Sequence, residues 1–158
     1  MDKSIPLTQA KFDELNHKLR KLETVGRTEV AEAIKLAKEF GDLSENAEYA
    51  SAKEEQERLE IEIATISNIL SNAYPIDTSL LKTTTVGIGN FVTIHDSMYD
   101  EDLTYQLVSS YEANSVQNKI SDQSPIGKAL VGHRKNDVVK VLLPSGDSNE
   151  FKILRIFK

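Results

Sequence analysis

Two carboxylates in a short glycine-led segment are the residues of this sequence best suited to chemistry. Asp42 and Glu45 lie three residues apart in the run Gly41-Asp42-Leu43-Ser44-Glu45-Asn46. At the start of a helix, this spacing lets both side chains face the same side. Mg²⁺ prefers carboxylate oxygen and commonly takes only one or two protein ligands, with water or substrate phosphate as the others. The pair is therefore too small for a tight private site, but it can share an ion with ligands on a partner.

A purely structural role also accounts for this spacing. Asp-x-x-Glu is a capping box, in which Asp42 caps the amide of Glu45 and the Glu45 side chain reaches back. Acidic groups in a first helical turn are also favoured by the helix dipole. Spacing alone favours this alternative, whereas the long helices predicted on either side favour a functional role for the pair.

The flanking residues predict two long helices. No proline occurs from residue 8 to residue 73, and Thr8 suits a helix N-cap. Gly41 suits the end of the first helix, and Asp42 can begin the second one as its N-cap. The second helix has the a/d pattern of a coiled coil, at Tyr49, Ala52, Gln56, Leu59, Ile63, Ile66, Leu70 and Ala73.

So short a turn between the helices makes them antiparallel. At 1.5 Å per residue, arms of roughly 30 residues form a hairpin about 45 Å long. A single helical pair of that length cannot bury itself in a globule, so we expect its tip to project.

The pattern changes after Ala73. Pro75 ends the helical stretch, because proline cannot continue a helix and disfavours helix in the residue before it. Ser124-Pro125 fits the start of a short helix through Leu130. Alternating apolar residues predict five strands, at 90–95, 103–109, 118–121, 138–143 and 151–157. The predicted fold class is therefore α+β, with a coiled-coil hairpin domain with an acidic tip at 1–77 and a mainly antiparallel β domain with a short helix at 78–158.

The composition limits the function further. Residues 1–77 hold 10 Lys/Arg and 16 Asp/Glu, whereas residues 78–158 hold 9 of each. An acidic first half argues against a large footprint on duplex DNA. No cysteine is present, which fits a reducing cytoplasm, and no apolar run reaches the roughly 20 residues that span a bilayer. We expect a cytoplasmic protein that does not enter a membrane.

Enzymatic motifs are otherwise missing from the sequence. The three histidines, His17, His95 and His133, have no second ligand at metal spacing, and we predict surface or core positions for them. There is no Ser-His-Asp order, no Gly-x-Gly-x-x-Gly fingerprint and no phosphate-binding loop.

Two segments resemble the signatures of the Gre family of bacterial transcript-cleavage and elongation factors. Residues 37–49, Ala-Lys-Glu-Phe-Gly-Asp-Leu-Ser-Glu-Asn-Ala-Glu-Tyr, look like the family's hairpin tip. Residues 118–132, Asn-Lys-Ile-Ser-Asp-Gln-Ser-Pro-Ile-Gly-Lys-Ala-Leu-Val-Gly, are similar to its second signature. The closing Pro144-Ser145-Gly146 followed by a strand matches as well. The likeness covers essentially the whole chain with compatible spacing.

The resemblance implies both a fold and an activity. The second domain would have an FK506-binding-protein-like fold and dock on the rim of the secondary channel of bacterial RNA polymerase. The hairpin would reach through that channel, where Asp42 and Glu45 help to hold a Mg²⁺ at the polymerase active site and the nascent RNA is cleaved. No tightly bound cofactor is implied, and the protein would stimulate the polymerase's own nuclease without being a complete enzyme.

By position, the resemblance also assigns contact residues. Asn46, Tyr49, Lys38 and Lys53 would contact the RNA 3′ segment or the active site. Tyr49 also occupies the coiled-coil seam, where core packing is an equally good explanation, and each lysine also suits a solvated helix face. The polymerase-binding residues would be Asp122, Gln123, Ser124, Pro125 and Ile126. Some relatives carry an acidic residue where Gln123 stands, which leaves the docking strength open.

Two other functions stay open. An inhibitor that occupies the secondary channel would have the same shape, although Leu43 and Ser44 between the two carboxylates favour cleavage over the more acidic tips of inhibitory cousins. A chaperone-like or prolyl isomerase module would use the second domain, with the coiled coil as a dimerisation arm. The first two functions predict a monomer when the protein is free.

Overall fold

The computed structural model describes residues 3–41 and 46–158. Contacts within the chain divide it into two compact units, one of residues 1–3 and 12–73 and one of residues 4–11 and 74–158. The second unit thus takes a short N-terminal segment that the sequence did not assign to it. The boundary that we placed between residues 77 and 78 stays a prediction.

The first unit is built from helices. Helix α1 (Gln9–Lys21) leads through a π-helical turn (Leu22–Gly26) into α2 (Arg27–Lys38), and α3 (Ala47–Asn72) returns alongside. Arg27 pairs with Glu60 and Lys18 with Glu62, so α3 runs antiparallel to the first arm. The predicted helical hairpin is confirmed.

The side chains that α3 buries are those of the predicted seam. The buried residues of α3 are Ala52, Leu59, Ile63 and Ile66. The other residues of the predicted seam are buried or half-buried. The polar seam residue Gln56 is half-buried and accepts a hydrogen bond from Lys53 Nζ at 2.9 Å. A spacing of three and four places all of these residues on one helical face, which packs against the first arm.

The π-helical turn explains why the apolar pattern of the first arm shifts after Gly26. A π turn takes one residue more than an α turn, and it therefore rotates the following residues around the helix axis. A Cβ on Gly26 would lie 3.0 Å from Leu59 Cδ1. The small residue thus lets the wide turn approach α3.

A five-stranded sheet forms the centre of the second unit. Its strands are β3 (Phe91–Asp96), β4 (Glu101–Val108), β5 (Lys119–Ser121), β6 (Val138–Leu142) and β7 (Ser148–Phe157), in the order β5-β4-β3-β7-β6. Only the β4–β5 pair is parallel, and a bulge interrupts the β3–β7 register between Thr93 and Ile94. The predicted mainly antiparallel domain, and with it the α+β fold class, is confirmed.

The short helix α4 (Pro125–Leu130) covers one face of this sheet. Leu130 is fully buried among the inward side chains of four strands, which include Val92, Ile94, Val139 and Ile153. The alternating burial along β3 and β6 follows from the two-residue period of a strand. This core fixes where α4 begins, and thereby where residues 122–126 lie.

Two short strands of the chain were not predicted. Strand β1 (Ile5–Leu7) pairs with β2 (Ala73–Pro75), and the Ile76 amide donates to the Leu7 carbonyl at 2.8 Å. Leu7 is fully buried. Three-residue strands are too short to show a period, so only the structure reveals them.

Candidate functional site

The predicted carboxylates Asp42 and Glu45 lie outside the described residues, but the residues on either side of them are described. Gly41 has a φ of +106°, a left-handed conformation that residues with a side chain rarely adopt. A Cβ there would meet no atom within 4 Å, so the backbone conformation and not crowding requires glycine. We predicted that the first helix is capped by Gly41, but α2 ends with Glu39 as its C-cap, two residues earlier. Gly41 instead forms the turn that follows, in a conformation that glycine makes possible.

Asn46 marks the other side of the segment. We predicted that the second helix begins at Asp42, but α3 as described begins at Ala47, with Asn46 as its N-cap. Asn46 Oδ1 accepts the Tyr49 amide at 3.1 Å, and Asn46 Nδ2 donates to the Ala37 carbonyl at 2.6 Å. One side chain therefore caps α3 and ties it to the last turn of α2.

Three of the predicted contact residues share one face of the hairpin. Ala37 and Ala52 are buried between α2 and α3. Successive helical residues are 100° apart, so Lys38 and Lys53, which follow these two alanines in antiparallel helices, lie on the same side. Both lysines are exposed, and Tyr49 is half-buried one turn before Lys53. We call Lys38, Tyr49 and Lys53 the lysine face.

The predicted docking segment forms a tight turn before α4. Ser124 Oγ donates to the Ser121 carbonyl at 2.6 Å and accepts the Gly127 amide at 3.1 Å, so it closes the turn and caps the helix. The Gln123 side chain donates to Asp122 Oδ2 at 3.1 Å. Gln123 and Pro125 are exposed, whereas Ile126 is half-buried and packs against the core of the sheet.

A glycine holds this turn against β5. An added Cβ on Gly127 would lie 1.9 Å from the Ser121 carbonyl oxygen, a distance at which the backbone must move. Gly127 is buried within α4. The position of residues 122–126 therefore depends on a glycine that the sequence showed only as part of a motif.

The oxygen donors of the predicted pair suit a hard cation such as Mg²⁺. Asp42 and Glu45 offer carboxylate oxygen, which hard cations prefer. Within residues 3–41 and 46–158, no group of three or more His, Asp or Glu side chains could hold a metal ion.

His95 has partners that the sequence did not indicate. Its Nδ1 lies 2.8 Å from Asp102 Oδ1 across the β3–β4 pair, and its Nε2 lies 3.3 Å from Asp100 Oδ1. The hydrogen bond with Asp102 raises the pKa of His95 above its usual value, although burial acts in the opposite direction. Neighbours on adjacent strands are not visible as sequence spacing.

A buried glutamate fixes the N-terminal segment within the second unit. The Glu112 side chain is 1% exposed, and its Oε1 accepts the Thr8 amide at 2.9 Å. Glu112 Oε2 accepts from the Thr8 hydroxyl and lies 3.3 Å from Lys119 Nζ. Thr8 Oγ1 in turn accepts the Lys11 amide at 3.2 Å, as an N-cap does.

Comparison with known proteins identifies the class to which this arrangement belongs. Residues 5–74 match the family model described as transcription elongation factor, N-terminal, and residues 81–158 match the one described as transcription elongation factor, GreA/GreB, C-terminal. The chain belongs to the GreA/GreB family of transcription elongation factors.

Two GreA relatives agree with this assignment. The chain is 48% identical to transcription elongation factor GreA of Thermoanaerobacter pseudethanolicus over the full length of both chains. It is 45% identical to GreA of Acetivibrio thermocellus, over 99% of this chain and 98% of that one. A crystal structure of Thermus aquaticus Gfh1 is 32% identical over 99% of both chains, with a TM-score of 0.43.

Among the described helices, none is both long enough and apolar enough to cross a membrane.

Proposed function

We propose that this protein enters the secondary channel of bacterial RNA polymerase and stimulates endonucleolytic cleavage of backtracked nascent RNA. The observation that carries the proposal is the antiparallel pair of α2 and α3, whose connection holds Asp42 and Glu45 between Gly41 and Asn46. Membership of the GreA/GreB family supports it. The protein acts in the cytoplasm, is a monomer when free and is not a complete enzyme by itself.

In this proposal, Asp42 and Glu45 contribute carboxylate oxygens to a Mg²⁺ that polymerase also binds. When bound, a divalent ion favours attack of water on a phosphodiester near neutral pH and neutralises the charge that develops on the leaving oxygen. Asp42 and Glu45 are thus ligands and not bases. A pair of carboxylates suits this role because Mg²⁺ keeps several sites for water and phosphate.

The lysine face has a separate role toward the RNA. Lys38 and Lys53 are exposed on one side of the hairpin and can pair with phosphates of the extruded RNA 3′ segment. Tyr49, half-buried beside Lys53, can stack on a base through the exposed part of its ring. Asn46 supports this face, since its side chain holds the start of α3.

Residues 122–126 dock the protein on polymerase in this proposal. The turn presents exposed Gln123 and Pro125, while Ser124 and Ile126 are held by a hydrogen-bonded cap and by the core. A preorganised turn loses little conformational freedom on binding, which favours affinity. Asp122 adds a carboxylate that can pair with a basic residue of the rim.

Backtracked elongation complexes with labelled RNA test the proposal. The wild-type protein should release short 3′ fragments, and Asp42→Ala or Glu45→Ala should abolish the release while the variants still bind polymerase. Inhibition of the polymerase's own cleavage by the wild-type protein would instead establish the channel-occupying inhibitor. Release that persists in both variants would contradict the role given to the carboxylates.

A further inference from the structure

The side of the hairpin opposite to the lysine face has a different chemical character. There, α2 and α3 enclose a groove of about 630 Å³. Buried Ala37 and Ala52 form its floor, and Leu36 and Phe40 line one wall. Leu36 and Ser51, which come directly before the two alanines in sequence, line the groove. Lys38 and Lys53 come directly after the same alanines and therefore lie on the other side of the hairpin.

This groove is apolar inside and acidic at its edges. Phe40 is 72% exposed and Leu36 is 49% exposed, which is unusual for side chains of this size next to each other. Three glutamates, Glu39, Glu48 and Glu55, line the edges, and none of the described lining residues is basic. Within the described parts of the chain, no ion pair or side-chain hydrogen bond engages these three carboxylates. We call this feature the glutamate groove.

We propose that the glutamate groove binds a basic segment of RNA polymerase, one that places an apolar side chain between Leu36 and Phe40 and sets arginine or lysine against the three glutamates. The inference rests on the proposed function, because it requires the hairpin to enter the polymerase. The two sides of the hairpin then have different partners. The lysine face meets RNA phosphate, and the glutamate groove meets the protein wall of the channel.

The charge of the glutamate groove favours a basic protein segment over RNA or a second copy of this chain. Three carboxylates repel phosphate, so RNA is disfavoured in the glutamate groove. A second copy of this chain, placed groove to groove, would bring the glutamates of both copies together, and like charges at an interface oppose association. A basic partner gains from the same carboxylates, while the exposed Phe40 ring offers apolar area to bury.

Matched variants test the charge. Glu55→Lys reverses a groove residue, and Glu54→Lys makes the same change one residue earlier, at an exposed position that does not line the groove. Affinity for a stalled elongation complex should fall about fivefold for Glu55→Lys, with a flatter dependence on salt. Glu54→Lys should bind as the wild-type protein does. Equal affinity of the two variants would overturn the proposal.

A second pair tests the apolar centre and identifies the occupant. Phe40→Ala should weaken binding, whereas Ile61→Ala, at a position 66% exposed on α3, should not. A photo-crosslinking residue at position 40 should label a polymerase peptide that contains arginine or lysine. Labelling of RNA or of a second copy would reject the proposal and name the true occupant. Circular dichroism confirms that each variant keeps its helices.

The binding readout separates this inference from the proposed function. If Glu55→Lys and Phe40→Ala bind normally while Asp42→Ala abolishes RNA release, only the role of the glutamate groove fails. If Asp42→Ala and Glu45→Ala both release RNA normally, the proposed role of the carboxylates fails whatever the groove variants show.

Discussion

Asn46 donates a hydrogen bond to the Ala37 carbonyl at 2.6 Å, and so joins the start of one helix to the end of the other. The same carbonyl accepts the Phe40 amide at 3.2 Å within the last turn of α2. This contact encloses the stretch of sequence that holds the two carboxylates.

Replacement of this side chain should therefore destabilise the hairpin. Asn46→Ala removes the cap on Tyr49 and the bond to Ala37, and should lower the free energy of unfolding by about 1–2 kcal/mol. Denaturant unfolding followed by circular dichroism measures the change. Asn68→Ala, at an exposed position within α3, is the matched control and should have little effect. A decrease in the free energy of unfolding no larger than that of the control would mean that the Asn46 hydrogen bonds do not stabilise the hairpin.

Asn46→Asp separates the effects of the two hydrogen bonds that this side chain makes. Aspartate still accepts the Tyr49 amide, and it is a good N-cap, but it has no donor for the Ala37 carbonyl. We expect near wild-type helix content with slower RNA release than the wild-type protein gives. Release at the wild-type rate would show that the bond to Ala37 has no part in activity.

Glu112 should contribute strongly to the stability of the second unit. Glu112→Ala leaves the Thr8 amide, the Thr8 hydroxyl and the Lys119 ammonium without their partner. Unsatisfied groups at a buried site cost on the order of 2–3 kcal/mol in the free energy of unfolding. Glu150→Ala, at an exposed position of the same unit, should cost much less. Equal losses measured by urea unfolding would contradict the role of Glu112.

His95 gives the second unit a defined pH dependence. Its pKa is raised from 6.5, first by the hydrogen bond with Asp102. Because the folded pKa lies above the unfolded one, this stabilisation is complete below the unfolded value and is lost as pH rises through the folded value. Titration of the ring by NMR should show a lower pKa in Asp102→Asn than in the wild-type protein. An unchanged His95 pKa in that variant would exclude the pairing in solution.

Gly127→Ala should disturb the predicted docking segment more than any neighbouring change. The new Cβ would lie 1.9 Å from the Ser121 carbonyl oxygen, so β5 and α4 must separate. We expect a loss of on the order of 3 kcal/mol in stability and weaker binding to polymerase. Lys128→Ala, at the next and exposed position, controls for a change in helix propensity. A Gly127→Ala protein as stable as this control would disprove the crowding.

Much of the fold follows from local pattern. The three-and-four spacing of apolar residues predicted the buried face of α3, and Ser124-Pro125 predicted the exact bounds of α4. Strand β7 begins at Ser148, earlier than the predicted Phe151, because its first residues are polar and are held by pairing with β6. Alternation of apolar residues cannot show a polar strand end.

Long-range contacts could not be predicted in this way. Thr8 and Glu112 are 104 residues apart, and nothing in their local sequence links them. In the sequence, the π-helical turn is visible only as a shift in the spacing of apolar residues after Gly26. No particular residue type marks the extra residue of a π turn. Which residues form the lysine face and which form the glutamate groove follows from helix geometry, once the structure shows that Ala37 and Ala52 are buried. The roles of Asp42 and Glu45 stay predictions.

The Mg²⁺ dependence of RNA cleavage tests the central claim most directly. We would measure the rate of fragment release from backtracked complexes against Mg²⁺ concentration, with the wild-type protein, with Asp42→Asn/Glu45→Gln and without factor, at saturating occupancy of polymerase. The wild-type protein should lower the Mg²⁺ concentration that gives half the maximal rate, because Asp42 and Glu45 add two ligands to the shared ion. The double variant, which keeps the side-chain shape but loses both charges, should return this concentration to the value without factor. A double variant that lowers the required Mg²⁺ as far as the wild-type protein does would contradict the account.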